Sequence, residues 1–284
     1  MGKKTERFGG LVSSMDLDQR YIYGCSKGTV MLWDRESMAC VHTWDGLPRG
    51  SRISVDGDRI YCTTLYHFKV IDTQRWVEVY SAQFGSDISS DLGYPIHDRD
   101  HVYFPIRNGA LAVIDKHDYA NARLLKEHAG TIWGMAQDDR SLYTGSVDGT
   151  VRVWEKPDLP VVRVLTGHKG NVQRVHVAGP YLVSGATDLS VIIWDRETGQ
   201  MVHRIRQAHR RAINGLASWN GLLLTSSMAE RKVRIWEMGS WALKKELELS
   251  LAEGAGPRVD GDTVYLALRR EPGVHACRAS EIFT

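Results

Sequence analysis

Hydrophobic residues along this chain occur in short runs that alternate with polar residues and stop at turn-forming residues. Residues 142–155 show the pattern most completely, with a β-branched and aromatic run, a turn at Asp148-Gly149 and a second alternating run. This pattern predicts a β-hairpin. Residues 181–195 repeat it, and their tryptophan comes 40 residues after Trp154. Self-similarity at this period indicates a repeat protein.

Positions equivalent to Trp154 recur along the whole chain at intervals of 38 to 43 residues. They are Trp33, Ile71, Ile114, Trp154, Trp194, Trp236 and Cys277. Each unit offers four strand-like runs, which in the fifth unit are residues 172–178, 182–185, 191–195 and 201–205. No segment keeps a helical period over three turns, which favours an all-β chain. Four antiparallel strands in about 40 residues are typical of a β-propeller blade, so the seven units predict one seven-bladed domain over residues 1–284.

The units resemble the WD40 (tryptophan–aspartate) repeat family, whose signature is Gly-His followed by Trp-Asp about two dozen residues later. Gly167-His168 with Trp194-Asp195 matches this signature fully. Two further units match with Glu or Ala in place of the glycine, through His128 with Trp154 and His209 with Trp236. The resemblance implies a WD40-type propeller whose ring is closed by an N-terminal strand that pairs in the last blade. We expect residues 4–8 to supply that strand, because the last unit reaches Thr284 before an outer strand of its own.

Composition and charge exclude several classes of protein. The chain has 36 basic and 34 acidic residues, so its net charge of +2 indicates no particular partner. The four cysteines contain no CxxC pair, and the 11 histidines show no metal-ligand spacing, so we expect no metal and no cofactor. Reduced thiols, and the lack of a signal peptide or a long apolar run, predict a cytoplasmic location, with the nucleus as the alternative.

Histidine, hydroxyl, aspartate and tryptophan recur together in the middle units, which invites comparison with a Ser-His-Asp hydrolase. The resemblance to WD40 repeats instead implies a structural hydrogen-bond network, and its recurrence fits a structural role better than a unique active site. The predicted network consists of His128, Thr144, Asp148, Trp154, His168, Ser184, Asp188, Trp194, His209, Thr225 and Trp236. The sixth unit has Ala229-Glu230 in place of the aspartate and one residue more in this loop, so we expect its loop to be less restrained.

Charged loop residues separate into two sets. Aspartates such as Asp98 and Asp138 concentrate in turns between first and second strands, where turn preference alone explains them. Basic residues concentrate in the loops of the opposite face, called here the top face, and Trp133 aligns with residues that point toward the channel mouth in this family. The candidate partner-binding residues are Trp133, Lys27, Arg107, Arg210, Arg211, Arg231, Lys232, Arg269 and Arg270.

These features favour a non-catalytic scaffold, a monomeric propeller or a subunit of a larger complex, which binds an acidic peptide or protein on its basic top face. Binding of nucleic acid or a phosphorylated ligand on the same face is the alternative, which the near-neutral net charge and the lack of interleaved aromatic residues disfavour. A quinoprotein-like or lactonase-like propeller enzyme is a remote alternative, suggested by residues 107–115, and it would require carboxylates in the channel.

Overall fold

The structure, a computed structural model, describes residues 3–4, 12–64, 67–84, 94–249, 257–268 and 274–283, with backbone alone at 3–4, 107 and 282–283. Within these ranges the chain forms 28 β-strands in seven four-stranded antiparallel sheets. The sheets are the blades of a β-propeller, as the repeat predicts. Strand order within a blade follows the chain, and the first strands of neighbouring blades contact each other around the centre of the ring.

Blades 1 to 3 occupy the first half of the chain. Blade 1 consists of β2 (Ser14–Leu17), β3 (Tyr21–Ser26), β4 (Thr29–Asp34) and β5 (Cys40–Asp45). Blade 2 consists of β6 (Arg52–Asp56), β7 (Arg59–Thr63), β8 (His67–Asp72) and β9 (Val77–Gln83). Blade 3 consists of β10 (Ile96–His97), β11 (His101–Pro105), β12 (Ala110–Asp115) and β13 (Ala122–Lys126), with a 3-10 turn at Arg107–Gly109.

Blades 4 to 6 follow along the chain. Blade 4 consists of β14 (Ile132–Gln137), β15 (Ser141–Ser146), β16 (Val151–Glu155) and β17 (Val161–Leu165). Blade 5 consists of β18 (Val172–Ala178), β19 (Tyr181–Ala186), β20 (Val191–Asp195) and β21 (Met201–Ile205). Blade 6 consists of β22 (Gly215–Trp219), β23 (Leu222–Ser227), β24 (Lys232–Glu237) and β25 (Leu243–Glu248).

Blade 7 joins the two ends of the described chain. It consists of β26 (Arg258–Asp260), β27 (Thr263–Ala267), β28 (Val274–Arg278) and, as its fourth strand, β1 (Lys3–Lys4). Lys3 pairs antiparallel with Ala276 and Lys4 with His275, so an N-terminal strand closes the sheet, and residues 5–8 lie outside the described residues. The short helix α1 (Ala279–Phe283) follows β28. None of the helices in the described ranges has the length and apolar character needed to cross a membrane.

The residues at the tryptophan position share one place in every blade. Each lies on the third strand and pairs with the second residue of the second strand, so that Trp154 faces Leu142 and Cys277 faces Val264. Both strands are largely buried, because each sheet packs against a neighbour on either face. The hydrophobic clusters accordingly lie between blades, and one of them joins Trp33 of blade 1 to Tyr265 of blade 7. The ring is therefore closed by apolar packing as well as by strand pairing.

A recurring polar contact also links neighbouring blades on the face opposite the top face, which we call the bottom face. Turns between first and second strands lie beside turns between third and fourth strands there, as the hydrogen bond of 2.9 Å from Lys156 N to Arg140 O shows. The Lys156 ammonium lies 2.9 Å from Asp98 Oδ2 of the preceding blade and 5.7 Å from the ring centre of Tyr103. Tyr103 Oη donates to the same carboxylate at 2.7 Å.

The same arrangement recurs at three other junctions. A basic residue two positions after the tryptophan position reaches the aspartate in the first turn of the preceding blade, in the pairs Lys116 with Asp56, Arg196 with Asp138, and Arg35 with Asp260. The last of these pairs connects blade 1 to blade 7. Each contact thus joins two neighbouring blades through a pair of opposite charges.

Deletion of residues 1–9 should sharply lower the melting temperature, because it leaves β28 as an unpaired edge strand. Differential scanning calorimetry of the truncated and full-length chains measures the difference. The double variant Lys3→Ala, Lys4→Ala is the matched control, and it should melt near the wild type because the pairing runs through backbone groups. An unchanged melting temperature in the truncated chain would contradict closure by this strand.

Substitution Lys156→Met should lower the free energy of unfolding by about 1–2 kcal/mol, since it leaves the partly buried Asp98 carboxylate without its cation. Chemical denaturation monitored by tryptophan fluorescence measures the change. The control Lys126→Met removes an exposed ammonium from an outer strand and should change stability by less than about 0.5 kcal/mol. Equal effects of the two substitutions would show that the blade junction does not depend on this contact.

Candidate functional site

The histidine of blade 4 lies at the centre of a hydrogen-bond network with no exposed hydroxyl. His128 Nδ1 lies 2.8 Å from Asp148 Oδ2, and its Nε2 lies 2.7 Å from Thr144 Oγ1. Trp154 Nε1 donates to the same hydroxyl oxygen at 2.8 Å. Because the hydroxyl accepts from the indole, its own hydrogen points to Nε2, and the histidine donates from Nδ1 to the carboxylate. Every polar group of this set therefore has a partner.

Blade 5 contains the same network. His168 Nε2 lies 2.8 Å from Ser184 Oγ, its Nδ1 lies 3.1 Å from Asp188 Oδ2, and Trp194 Nε1 donates to the serine at 2.8 Å. The carboxylate also accepts from Lys169 N at 2.8 Å, which ties the interblade loop to the turn between the second and third strands. These two kinds of loop thus lie together and form the top face.

Blade 6 corrects the expectation of a less restrained loop. Glu230 replaces the aspartate, with its Oε2 3.3 Å from His209 Nδ1 and its Oε1 accepting from Arg210 N. His209 Nε2 lies 2.8 Å from Thr225 Oγ1, to which Trp236 Nε1 donates at 2.9 Å. The loop is one residue longer, but the additional methylene of glutamate carries the carboxylate back to the histidine. Aligning the units by residue type did not reveal that a longer side chain compensates for the longer loop.

The electrostatics of these networks suit a structural role. Burial lowers the pKa of His128, so the imidazole is neutral at pH 7. Burial alone would raise the pKa of Asp148, but hydrogen bonds from Thr150 and His128 lower it below its usual range. The hydroxyls of Thr144, Ser184 and Thr225 are 0% exposed, so no substrate can reach them in this conformation. A nucleophile needs such access, which disfavours the comparison with a hydrolase.

A second serine–histidine pair lies in the central channel. Ser54 Oγ is 2.9 Å from His97 Nδ1, and His97 Nε2 is 3.8 Å from Asp56 Oδ1. That second distance is too long for a hydrogen bond, and the carboxylate is already held by the ammonium of Lys116. The base therefore lacks the orienting contact that a catalytic triad requires.

The predicted basic residues of the top face fall into two patches. Lys27 is exposed in the turn between β3 and β4 of blade 1, whereas Arg210, Arg211 and Arg231 are exposed in loops of blade 6. Since blade 7 separates these blades, the residues share a face but form no single cluster. None of the four side chains has an ion-pair partner within the described part of the chain.

Other predicted partner-binding residues have different outcomes. Lys232 is half-buried and its ammonium pairs with Glu246 of the outer strand β25, and its role in partner binding stays a prediction. Arg107 begins the 3-10 turn of blade 3, but its side chain lies outside what the structure describes. Arg269 and Arg270 also lie outside the described residues.

Trp133 lies at a β-bulge, which explains where its side chain points. The pairing between β14 and β15 shifts between Ile132 and Gly134, and the tryptophan is the extra residue. Bulges commonly re-aim a side chain, and here Trp133 lines the central channel. Gly134 allows β14 to approach the neighbouring inner strand, because a Cβ there would lie 2.8 Å from the Cα of Arg174. The Trp133 indole N–H is buried and has no hydrogen-bond partner among the described residues.

The central channel contains a cavity of about 360 Å³ that the sequence did not reveal. Arg174 and Arg258 line it together with Trp133 and His176, and Asp16 supplies the one carboxylate among its described lining residues. The described residues contain no cluster of three or more acidic, histidine or cysteine side chains suited to a metal ion. The described lining of the channel thus does not present the set of carboxylates that the quinoprotein alternative requires.

Comparisons with known proteins agree on the fold. Residues 121–155 and 159–195 match the WD40 family, described as WD domain, G-beta repeat. Each matched segment spans the outer strand of one blade and the three inner strands of the next. A crystal structure of the mitotic checkpoint complex contains a chain with a TM-score of 0.83 and 15% identity, covering 98% of this chain and 94% of that chain. The computationally designed Ika8 protein gives a TM-score of 0.73 and 16% identity, covering 97% and 98%. No curated protein sequence matches.

Substitution Asp188→Ala should lower the free energy of unfolding by about 1–3 kcal/mol, because it removes the acceptor of His168 and of the Lys169 and Ser190 backbone N–H groups. Urea denaturation measures the loss. The control Asp139→Ala removes an exposed turn carboxylate and should cost less than about 0.5 kcal/mol. If Asp188→Ala lowered the free energy of unfolding no more than the control does, the network would not contribute to the stability of blade 5.

Proposed function

We propose that the top face of this seven-bladed propeller binds an acidic segment of another protein. WD40 repeats run from the outer strand of blade 3 to blade 5. We further propose that the chain catalyses no reaction. Its role is then to present loops from several blades on one rigid surface. The cytoplasmic location expected for its four free cysteines is part of this proposal.

The observation that carries the proposal is a set of exposed top-face cations without acidic partners, whereas the exposed bottom-face cations Arg99 and Arg140 lie in turns that also carry aspartates. On the bottom face, Arg35, Lys116, Lys156 and Arg196 all pair with aspartates of a neighbouring blade. On the top face, the exposed side chains of Lys27, Arg210, Arg211 and Arg231 have no acidic partner among the described residues. The surface that remains positive therefore attracts an acidic partner.

Trp133 supplies the apolar part of the proposed surface. Its ring is half-buried at the channel, and its N–H lacks a partner among the described residues. Tryptophan and arginine dominate the energetics of protein interfaces, because they combine a large contact area with a directional polar group. The top-face arginines accelerate the encounter with the partner and favour an acidic sequence, while the Trp133 indole slows the dissociation of the bound segment.

A rigid ring suits this role. Packing between every pair of blades holds the loops in place before binding, so little conformational entropy is lost when a partner docks. One structural neighbour belongs to a multi-protein assembly, the mitotic checkpoint complex, which is in keeping with a role in association. That likeness itself concerns the fold alone.

The triple variant Trp133→Ala, Arg210→Ala, Arg211→Ala should fold normally and lose partners that present an acidic segment. Affinity purification from cell extract followed by mass spectrometry compares it with the wild type. The control Arg140→Ala, Arg163→Ala removes two exposed cations outside the top face and should keep the same partners. Retention of every partner by the triple variant would overturn the proposal. Capture of nucleic acid with an affinity that falls steeply with salt would favour the alternative function.

A further inference from the structure

Three arginines from three blades meet at the central channel. Arg174 on β18 and Arg258 on β26 line the cavity of about 360 Å³. Arg52 on β6 stacks over the ring of Tyr94, with its guanidinium carbon 5.3 Å from the ring centre, and Tyr94 also lines the cavity. Arg174 and Arg258 therefore line one cavity, and Arg52 lies beside it against Tyr94, although the three residues are distant in sequence.

The described residues do not neutralise this charge. No ion pair joins Arg52, Arg174 or Arg258 to a carboxylate within the part of the chain that the structure covers. Arg174 donates to its neighbour's carbonyl oxygen, Gln173 O, at 2.7 Å. Burial lowers the pKa of Arg174, and the nearby guanidiniums of Arg52 and Arg258 lower it further. Holding these cations together is therefore unfavourable without an anion.

Other groups at the cavity contribute little negative charge. Asp16 is the carboxylate that lines it, and its Oδ2 already accepts from Val55 N at 2.8 Å. Burial lowers the pKa of His97, and it lowers the pKa of His176 to about 4, so both imidazoles are neutral at pH 7. Among the described lining residues, Arg174 and Arg258 against Asp16 leave an excess of one positive charge, and Arg52 beside the cavity adds a second.

We propose that this channel cavity is a binding site for a phosphoryl group. A phosphoryl dianion matches the excess of two charges, and its oxygens accept the paired N–H donors of guanidinium groups. The Trp133 ring forms part of the same cavity wall. The volume lies at the lower end of the range for small-ligand sites, which suits a compact group. The site shares Trp133 with the surface proposed above but none of its exposed arginines, and it does not depend on the binding of an acidic segment.

Isothermal titration calorimetry of the full chain tests the site with inorganic phosphate and with O-phosphoserine. We expect binding of at least one of these ligands, and the tighter one identifies the source as a free or an esterified phosphoryl group. Acetate, a single carboxylate of similar size, should bind at least roughly ten-fold more weakly. Failure of both phosphoryl ligands to bind, or acetate binding as tightly as they do, would overturn the proposal.

Substitution Arg174→Gln should weaken binding roughly ten-fold or more, since it removes one charge-assisted contact. Arg258→Gln lies at an exposed position and gives the same test if the first variant does not fold. The control Arg163→Gln on the outer strand β17 should bind like the wild type. The variant Arg210→Ala, Arg211→Ala should also retain phosphoryl binding within two-fold, which separates this site from the top-face patches. Unchanged affinity in folded Arg174→Gln and Arg258→Gln variants would contradict the site.

Discussion

A single blade of this protein cannot bury its own sheet, and the rest of the structure depends on that constraint. Each sheet has apolar residues on both faces, so the clusters of buried side chains lie between blades and not inside them. A row of such sheets would leave two faces exposed to water, and only a closed ring covers them all. The cluster that contains Trp33 and Tyr265 meets this requirement between the first and the last blade.

The polar residues serve the same requirement. At four junctions a cation after the tryptophan position neutralises an aspartate of the preceding blade, and a tyrosine ring lies beside the ammonium or guanidinium at three of them. The bottom-face aspartates therefore belong to the framework that holds sheets together, which turn preference alone did not indicate. Among the described residues, further cations without acidic partners lie on the top face, such as Arg210, and at the channel, such as Arg174.

Local pattern predicted much of the fold, because the features that define a blade lie close together in the sequence. Strand runs, turns and the networks around His128 and His168 fall within single units, and the strands β18 and β20 occupy the residues expected of them. Pairings between units were not predictable in this way. Lys156 meets Asp98 only because blades 3 and 4 are adjacent, and Arg35 meets Asp260 only because the ring closes. Glu230 was missed because a longer side chain compensated for a longer loop.

The channel shows most clearly why part of the site was hidden. A β-bulge shifts the alternation of inner strands in blades 4 and 5, so counting positions along a strand does not reveal that Trp133 and Arg174 line one cavity. Arg174 has no carboxylate partner among the described residues, and its burial together with the nearby guanidiniums of Arg52 and Arg258 disfavours its charged form. The packing of a blade does not require a cation at the position of Arg174, because the equivalent positions on the inner strands of blades 4 and 6 are the glycines Gly134 and Gly215. Residues that cost stability and that the framework does not need are the ones most readily explained by a ligand.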